Sequence, residues 1–310
     1  MTRRSRAGQP AAMPLRVAEK WSAWQPLENA PAIEATTLAE LLDGGQSFRW
    51  NLQPDGAWLG VWGDCVARLR LAPDQRLVWS APRSIAARVA AALPGYLALT
   101  ANFDALIDAL PWRSDVHLAV CLDAFRGLRI LRQPFGETLL GFLCSATKQI
   151  VQIKQMTALL ATRLGAEIAD GHFRLPTWPE IARVSEVQLR ECLLGFRARH
   201  IHQTAQFLAA HPGWLTDTEA MPYAEAKARL CELPGVGEKV ADCVLLFGAG
   251  RLEAFPVDVW ILKTMATRYA LEGWRPAQVS QFGRTHFGAA AGLAQQFLFA
   301  WERQQKRKKI

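Results

Sequence analysis

Residues 233–243 read LPGVGEKVADC, and this stretch decides how the second half of the chain is read. A proline followed by two glycines around one apolar residue makes a tight hairpin, because glycine takes up left-handed backbone angles without steric cost. Beyond it, VADCVLLF has apolar residues at helical spacing, so Lys239 falls in the first turn of a helix. Backbone N–H groups at such a turn and the positive end of the following helix can grip a phosphate without reading base sequence. Gly235, Val236 and Gly237 would make that contact. The plainer alternative is an ordinary helix–helix corner, and the whole string of proline, spaced glycines, lysine and alanine argues against it.

Lys239 admits three roles: a surface lysine, a phosphate contact or a nucleophile. The third needs a neutral amine, and both the positive end of a helix and burial disfavour an ammonium ion. Such an amine can attack an electrophilic sugar carbon and form a Schiff base. Nineteen residues on, Asp258 in FPVDVW precedes the helical run WILKTMATRYAL, where its carboxylate is placed to cap the helix. A carboxylate fixed there can also stabilise a neighbouring cationic transition state, and the two roles are compatible.

Outward from this centre the chain changes period. Residues 47–81 alternate apolar and polar positions and break at PDG, WGD and APDQ, the pattern of a short antiparallel meander. SIAARVAAAL, FDALIDAL and DVHLAVCLDAF then read as helices, and from residue 135 onward nearly everything has helical period. The fold expected is α+β. An N-terminal sheet domain with helices spans 30–125, a mostly helical domain spans 126–302 with its hairpin at about 225–248, and a flexible basic arm (1–29) and a basic tail (303–310) flank them.

The chain has 310 residues, 50% of them apolar, and a formal charge of +8, which suits an anionic partner such as nucleic acid. No run is long and apolar enough for a membrane span and the first 30 residues show no signal-peptide core, so a cytoplasmic protein is expected, acting as a monomer. Six cysteines lie scattered without metal-ligand spacing, and none follows Cys243, which excludes a four-cysteine iron–sulfur cluster near the C-terminal end. The histidines suggest no triad and no metal set.

LPGVGEKVADCVLLF followed by PVDVW resembles the helix-hairpin-helix and aspartate signature of base-excision DNA glycosylases, specifically the eukaryotic-type 8-oxoguanine DNA glycosylase/AP lyases. GQSFRW (45–50), LRILRQPFGETLLGFLCSA (128–146), GFRAR (195–199) and GLAQQFLF (292–299) resemble blocks of the same family, so the likeness spans roughly 30–300. It implies Lys239 as nucleophile and Asp258 as catalytic aspartate. Cys243, one turn beyond Lys239, falls where the family forms a lysine–cysteine dipole. Gly45 matches the glycine whose carbonyl accepts from N7 of 8-oxoguanine, and Gln295 and Phe299 match the residues that bind the base's pairing edge and stack on its face. No cofactor is implied beyond a monovalent cation that the hairpin could hold. The partner would be double-stranded DNA with an oxidised purine, in the nucleoid or nucleus. A non-catalytic damage-binding hairpin protein and a glycosylase for another oxidised or ring-opened purine are the alternatives.

The sequence departs from the family where the opposite strand would be read. An asparagine run is replaced by Thr147, Lys148 and Gln149, and Gln152 stands where an arginine reads the orphaned cytosine. Arg197, that arginine's usual partner, is retained, and the wedge tyrosine beside it is Phe196. A phenylalanine can still insert between bases. Losing a bidentate arginine weakens discrimination by about 1–3 kcal/mol, so a reduced preference for cytosine is expected. His200, just after GFRAR, could touch phosphate. Trp260 stands where the family has a histidine, so stacking or packing must replace titration there.

Overall fold

A computed structural model describes residues 19–307, the side chain of Arg307 excepted. The basic cluster of Arg3, Arg4 and Arg6 and the terminal Lys308 and Lys309 lie outside the described residues.

Five antiparallel strands form the N-terminal sheet: β1 (Gln25–Pro26), β2 (Trp50–Leu52), β3 (Trp58–Trp62), β4 (Cys65–Leu71) and β5 (Leu77–Ser80). Their spatial order is β1-β5-β4-β3-β2. The meander runs as its turn chemistry dictates, with Gly56 and Gly63 in left-handed conformation at PDG and WGD. Trp50 and Gly60 face each other across β2 and β3. The Trp50 indole lies flat over Gly60, so closely that a Cβ there would come within 2.2 Å of the ring. It stacks on Trp62 at 5.7 Å and donates from Nε1 to the Tyr96 hydroxyl at 2.9 Å.

The expected arm and tail both differ from the structure where it describes them. Residues 21–27 are part of the sheet: Gln25 pairs with Trp79, Ser22 N donates to Ala81 O, and the guanidiniums of Arg68 and Arg70 stack on Trp21 and Trp24. Pro26 disguised this strand, yet an edge strand tolerates proline because one side of its backbone faces solvent. At the other end the helix Ala291–Arg307 runs past residue 302, with Arg303 donating to both oxygens of the buried Glu40 and to Asp43 O. That ion pair keeps the basic segment helical as far as it is described.

The remainder is helical, as the period indicated, with two exceptions. The run 135–165 is two helices, Phe135–Leu143 and Ile150–Leu164, broken by a turn whose Thr147 has φ of +55°. A small antiparallel ribbon, Glu167–Ala169 with His172–Phe173, follows. The helix Val116–Ala124 leaves the sheet and packs on Ala291–Arg307, so residues read as the end of the first domain are held by the last helix of the second.

Gln46 joins the two halves. Fully buried, it donates from Nε2 to Arg129 O at 2.9 Å and accepts from Leu131 N at 3.0 Å, while its own carbonyl accepts from Gln133 Nε2 at 2.6 Å. Aromatic rings extend the junction, with Phe48 edge-on to Phe142 and Phe142 stacked on Phe247. Gly60→Ala tests the sheet: its methyl would be driven into the Trp50 indole, and thermal unfolding should show a loss of about 1–3 kcal/mol.

Candidate active site

The hairpin lies between the helices Tyr223–Leu230 and Glu238–Phe247. Leu233 and Val236 point inward and Gly235 and Gly237 are exposed. Gly235 has φ of +79°, and a Cβ on it would collide with the His200 ring at 2.6 Å. His200, expected at a phosphate, is therefore packed against the hairpin apex, with its other side edge-on to Phe196. Behind the hairpin, the buried Asp242 accepts from the Tyr223 hydroxyl at 2.6 Å and from Lys227 Nζ at 3.0 Å. Burial raises its pKa, against the pull of Lys227. This trio pins the two hairpin helices together.

Lys239 is half-buried in the first turn of the second hairpin helix, where its own helix register places it. Its Nζ stands 5.3 Å from the ring centroid of Phe142 and 3.4 Å from Ser145 Oγ. That hydroxyl donates to Phe142 O at 2.7 Å and so accepts from the lysine. Cys243 is buried one turn on. Burial pushes its thiol up to about 12, outweighing the opposing charge and hydrogen bond of Lys239, so at neutral pH Cys243 is a thiol rather than a thiolate.

Asp258 caps the helix Val259–Tyr269, its Oδ1 accepting from Trp260 N at 3.0 Å and Ile261 N at 2.8 Å. Desolvation raises its pKa even though both backbone donors and the charge of Lys239 pull the other way. The two helix starts therefore bring the carboxylate within electrostatic reach of the amine. Trp260, in the same first turn, carries Lys306 Nζ at 4.7 Å from its ring centroid.

Gly45 has φ of +102°, which leaves its backbone free to present a carbonyl in a way a side chain would resist. A Cβ there would meet Ile150 at 3.2 Å and Phe299 at 3.9 Å, so the glycine expected at N7 and the phenylalanine expected on the base's face are neighbours. Gln295 is buried one turn before Phe299. Its Nε2 donates to Pro256 O at 3.2 Å and its Oε1 accepts from Gln296 Nε2 at 2.7 Å, which ties the last helix to the loop of Asp258. These two bonds use one of its two N–H donors and one of its two oxygen lone pairs.

The opposite-strand residues divide. Phe196 is 54% exposed, with the Arg197 guanidinium stacked on its ring at 4.4 Å. Gln152 is exposed and accepts from Gln149 N at 3.2 Å, capping its helix; Gln149 is exposed as well, and Lys148 is half-buried beside it. Arg197 departs from the expected DNA contact. It is buried and donates to Ala146 O from two nitrogens, to Leu194 O at 3.2 Å and to Thr147 Oγ1 at 3.0 Å, so it braces the turns on either side instead of facing outward.

Sequence reasoning missed Ser145, Phe142, Pro256 and Gln296. Ser145 follows the end of a helix like many serines, and only the fold brings it to Lys239. Neither Lys239 nor Asp258 lines any of four cavities among the described residues, although Phe142 lines one of them.

A glycine hairpin, a lysine beside an aromatic ring and an aspartate at a second helix start are the arrangement expected of a DNA glycosylase with lyase chemistry. Residues 30–139 match the family described as 8-oxoguanine DNA glycosylase, N-terminal domain. The N-glycosylase/DNA lyase OGG1 of Arabidopsis thaliana is 32% identical over 288 residues, 86% of this chain and 77% of the relative. The structure of MBOgg1 in complex with a low-affinity DNA ligand superposes with a TM-score of 0.80 at 30% identity, covering 86% of this chain and 92% of that one. The 8-oxoguanine glycosylase/lyase of Clostridium acetobutylicum, in complex with double-stranded DNA containing cytosine opposite 8-oxoguanine, gives 0.81 at 26%, covering 92% and 99%. The chain belongs to the 8-oxoguanine DNA glycosylase family of N-glycosylase/DNA lyases. No helix among the described residues is long and apolar enough to cross a membrane.

Asp258 makes a pH-dependent prediction. Its carboxyl ionises at higher pH in the folded chain than in the unfolded one, so stability falls as pH rises through that window and the ionised group is a net cost at pH 7. Asp258→Asn keeps a capping side chain and sheds that cost. Its melting temperature at pH 7 should equal or exceed the wild type's, with the gap closing in acid, while base release falls by about a hundredfold or more. In the wild type, the acid limb of the rate profile should lie above the ordinary aspartate range near pH 4.

Proposed function

We propose that the protein excises 8-oxoguanine from duplex DNA and cleaves the strand at the resulting site, with Lys239 as nucleophile. The observation that carries this reading is that Lys239 and Asp258 stand at the starts of two helices and that the charge of the lysine acts on the desolvated aspartate. Phosphate binding by the hairpin alone would not require it.

In the first step the Lys239 amine attacks C1′, and the bond from C1′ to the base nitrogen breaks as that nitrogen takes the bonding pair. The ionised Asp258 stabilises positive charge developing on the sugar. The amine sheds its proton, the departing base gains one, and ring opening leaves a Schiff base between Nζ and C1′. Loss of a C2′ proton then expels the 3′ phosphate by β-elimination. Gly45 and Phe299 supply the carbonyl and the stacking face for a flipped purine, and Gln295 its remaining polar edge. No organic group takes part in these steps. A monovalent cation would be held by hairpin carbonyls; those of Leu233 and Pro234 already accept from Val236 N and Thr204 Oγ1 and keep a second lone pair.

Borohydride trapping on a duplex with 8-oxoguanine opposite cytosine tests the nucleophile. The wild type should give a covalent adduct and Lys239→Gln none. Tight lesion binding by both proteins without any adduct would return Lys239 to phosphate contact and make this a binding protein.

The reading includes a relaxed choice of opposite base. Its support is that Gln152 offers no guanidinium and that the donors of Arg197 are directed to Ala146, Thr147 and Leu194. Single-turnover excision rates opposite the four bases should fall within about tenfold of one another, because the bidentate contact that would separate them by about 1–3 kcal/mol is missing. A strong cytosine preference would count against this part alone.

A further inference from the structure

We propose that Leu193 is a second wedge residue, entering the base stack of duplex DNA beside Phe196. The proposal rests on the reading that the protein opens DNA at its lesion.

Leu193 combines two features that oppose stability. Its side chain is 59% exposed, and its backbone has φ of +61°, a conformation in which a leucine is strained and a glycine would not be. Folding alone gains nothing from an exposed leucine at such an angle. Strain of this kind persists only where neighbouring contacts over-determine the backbone. Here they do: Arg197 donates to Leu194 O at 3.2 Å, and Arg190 donates to Gly195 O at 3.2 Å, so both sides of the turn are held by guanidiniums.

The position agrees with insertion. The turn Arg190–Leu194 leads directly into Phe196 and packs against the helix Ile150–Leu164, whose first turn exposes Val151 at 62%. Arg197 joins this turn to the loop at Ala146 and Thr147 that precedes the same helix. Val151, Leu193 and Phe196 thus belong to three connected segments that all leave apolar side chains in solvent. The chain carries a formal charge of +8, and the phosphate-binding hairpin is linked to Phe196 through His200. A polyanion with an apolar interior, the stacked duplex, matches an apolar ridge at that place. Apolar side chains between base steps unstack them and kink the helix.

The test uses full-length protein, with Leu193→Ala and Leu193→Gly. The probe is a duplex carrying a tetrahydrofuran abasic analogue beside 2-aminopurine, whose fluorescence rises on unstacking. Wild-type protein should raise the fluorescence. Both variants should lose most of the rise and bind about tenfold more weakly, as removal of a leucine's apolar surface from a contact implies. The glycine variant should melt at or above the wild-type temperature, which separates lost insertion from a damaged fold. Excision of 8-oxoguanine by both variants should recover when the lesion faces an abasic gap, where little stacking remains to be broken. Wild-type fluorescence and affinity in either variant would overturn the proposal. The fluorescence does not depend on which base is excised, so failure of the wild type to release 8-oxoguanine would count against the substrate assignment and not against the wedge.

Discussion

The buried amide of Gln46 is the constraint on which the site depends. A buried amide without partners costs about 1–3 kcal/mol, and this one is satisfied by Arg129 O and Leu131 N, groups 83 and 85 residues away in sequence. The pairing imitates a short piece of sheet and fixes where the sheet domain meets the helical one. Gly45 stands immediately before it, so the same bond pair sets the glycine against Phe299 and Ile150. Phe48, two residues after it, reaches Phe142, the ring beneath Lys239. The proposed base pocket, drawn from both ends of the chain, would therefore be held by hydrogen bonds and rings at one junction.

Burial acts on three acidic groups here, with different results. Asp242 and Asp258 both have raised pKa values because desolvation outweighs their partners. Asp242 is answered by the Tyr223 hydroxyl and by Lys227, which also lies 3.7 Å from Glu238, and it joins two helices. Asp258 is answered by two backbone N–H groups and by the charge of Lys239, a residue with chemistry of its own. The shift alone does not separate a structural carboxylate from a catalytic one; the partner does. Cys243, pushed up to about 12, acts as an uncharged wall next to the amine.

Arg197 shows how a buried guanidinium can shape an exposed face from beneath it. Its guanidinium joins Ala146, Thr147 and Leu194, and thereby holds two turns in which a non-glycine residue has a left-handed backbone. Its flat face supports Phe196. Directing those donors inward ties the segments of Val151, Leu193 and Phe196 together.

The hairpin, the helix starts at Lys239 and Asp258 and the meander were legible in the sequence because each rests on local rules: glycine in turns, apolar period, and carboxylate caps. The split of residues 135–165 into two helices was not, since Thr147 has no intrinsic reason to be left-handed and takes that angle where Arg197 holds it. The pairing of residues 21–27 with β5 was hidden because Pro26 reads as a breaker until an edge position is known. Nor could spacing show that Ser145 meets Lys239, that Gln295 is bonded to Pro256, or that Arg303 holds the last helix to Glu40. The sequence by itself determined most of the elements and placed Lys239 and Asp258 at helix starts, because backbone preference and motif spacing act over a few residues. Only the tertiary structure decided which polar groups are already satisfied and which remain to meet DNA, because hydrogen bonds between residues distant in sequence exist only once the two halves have docked.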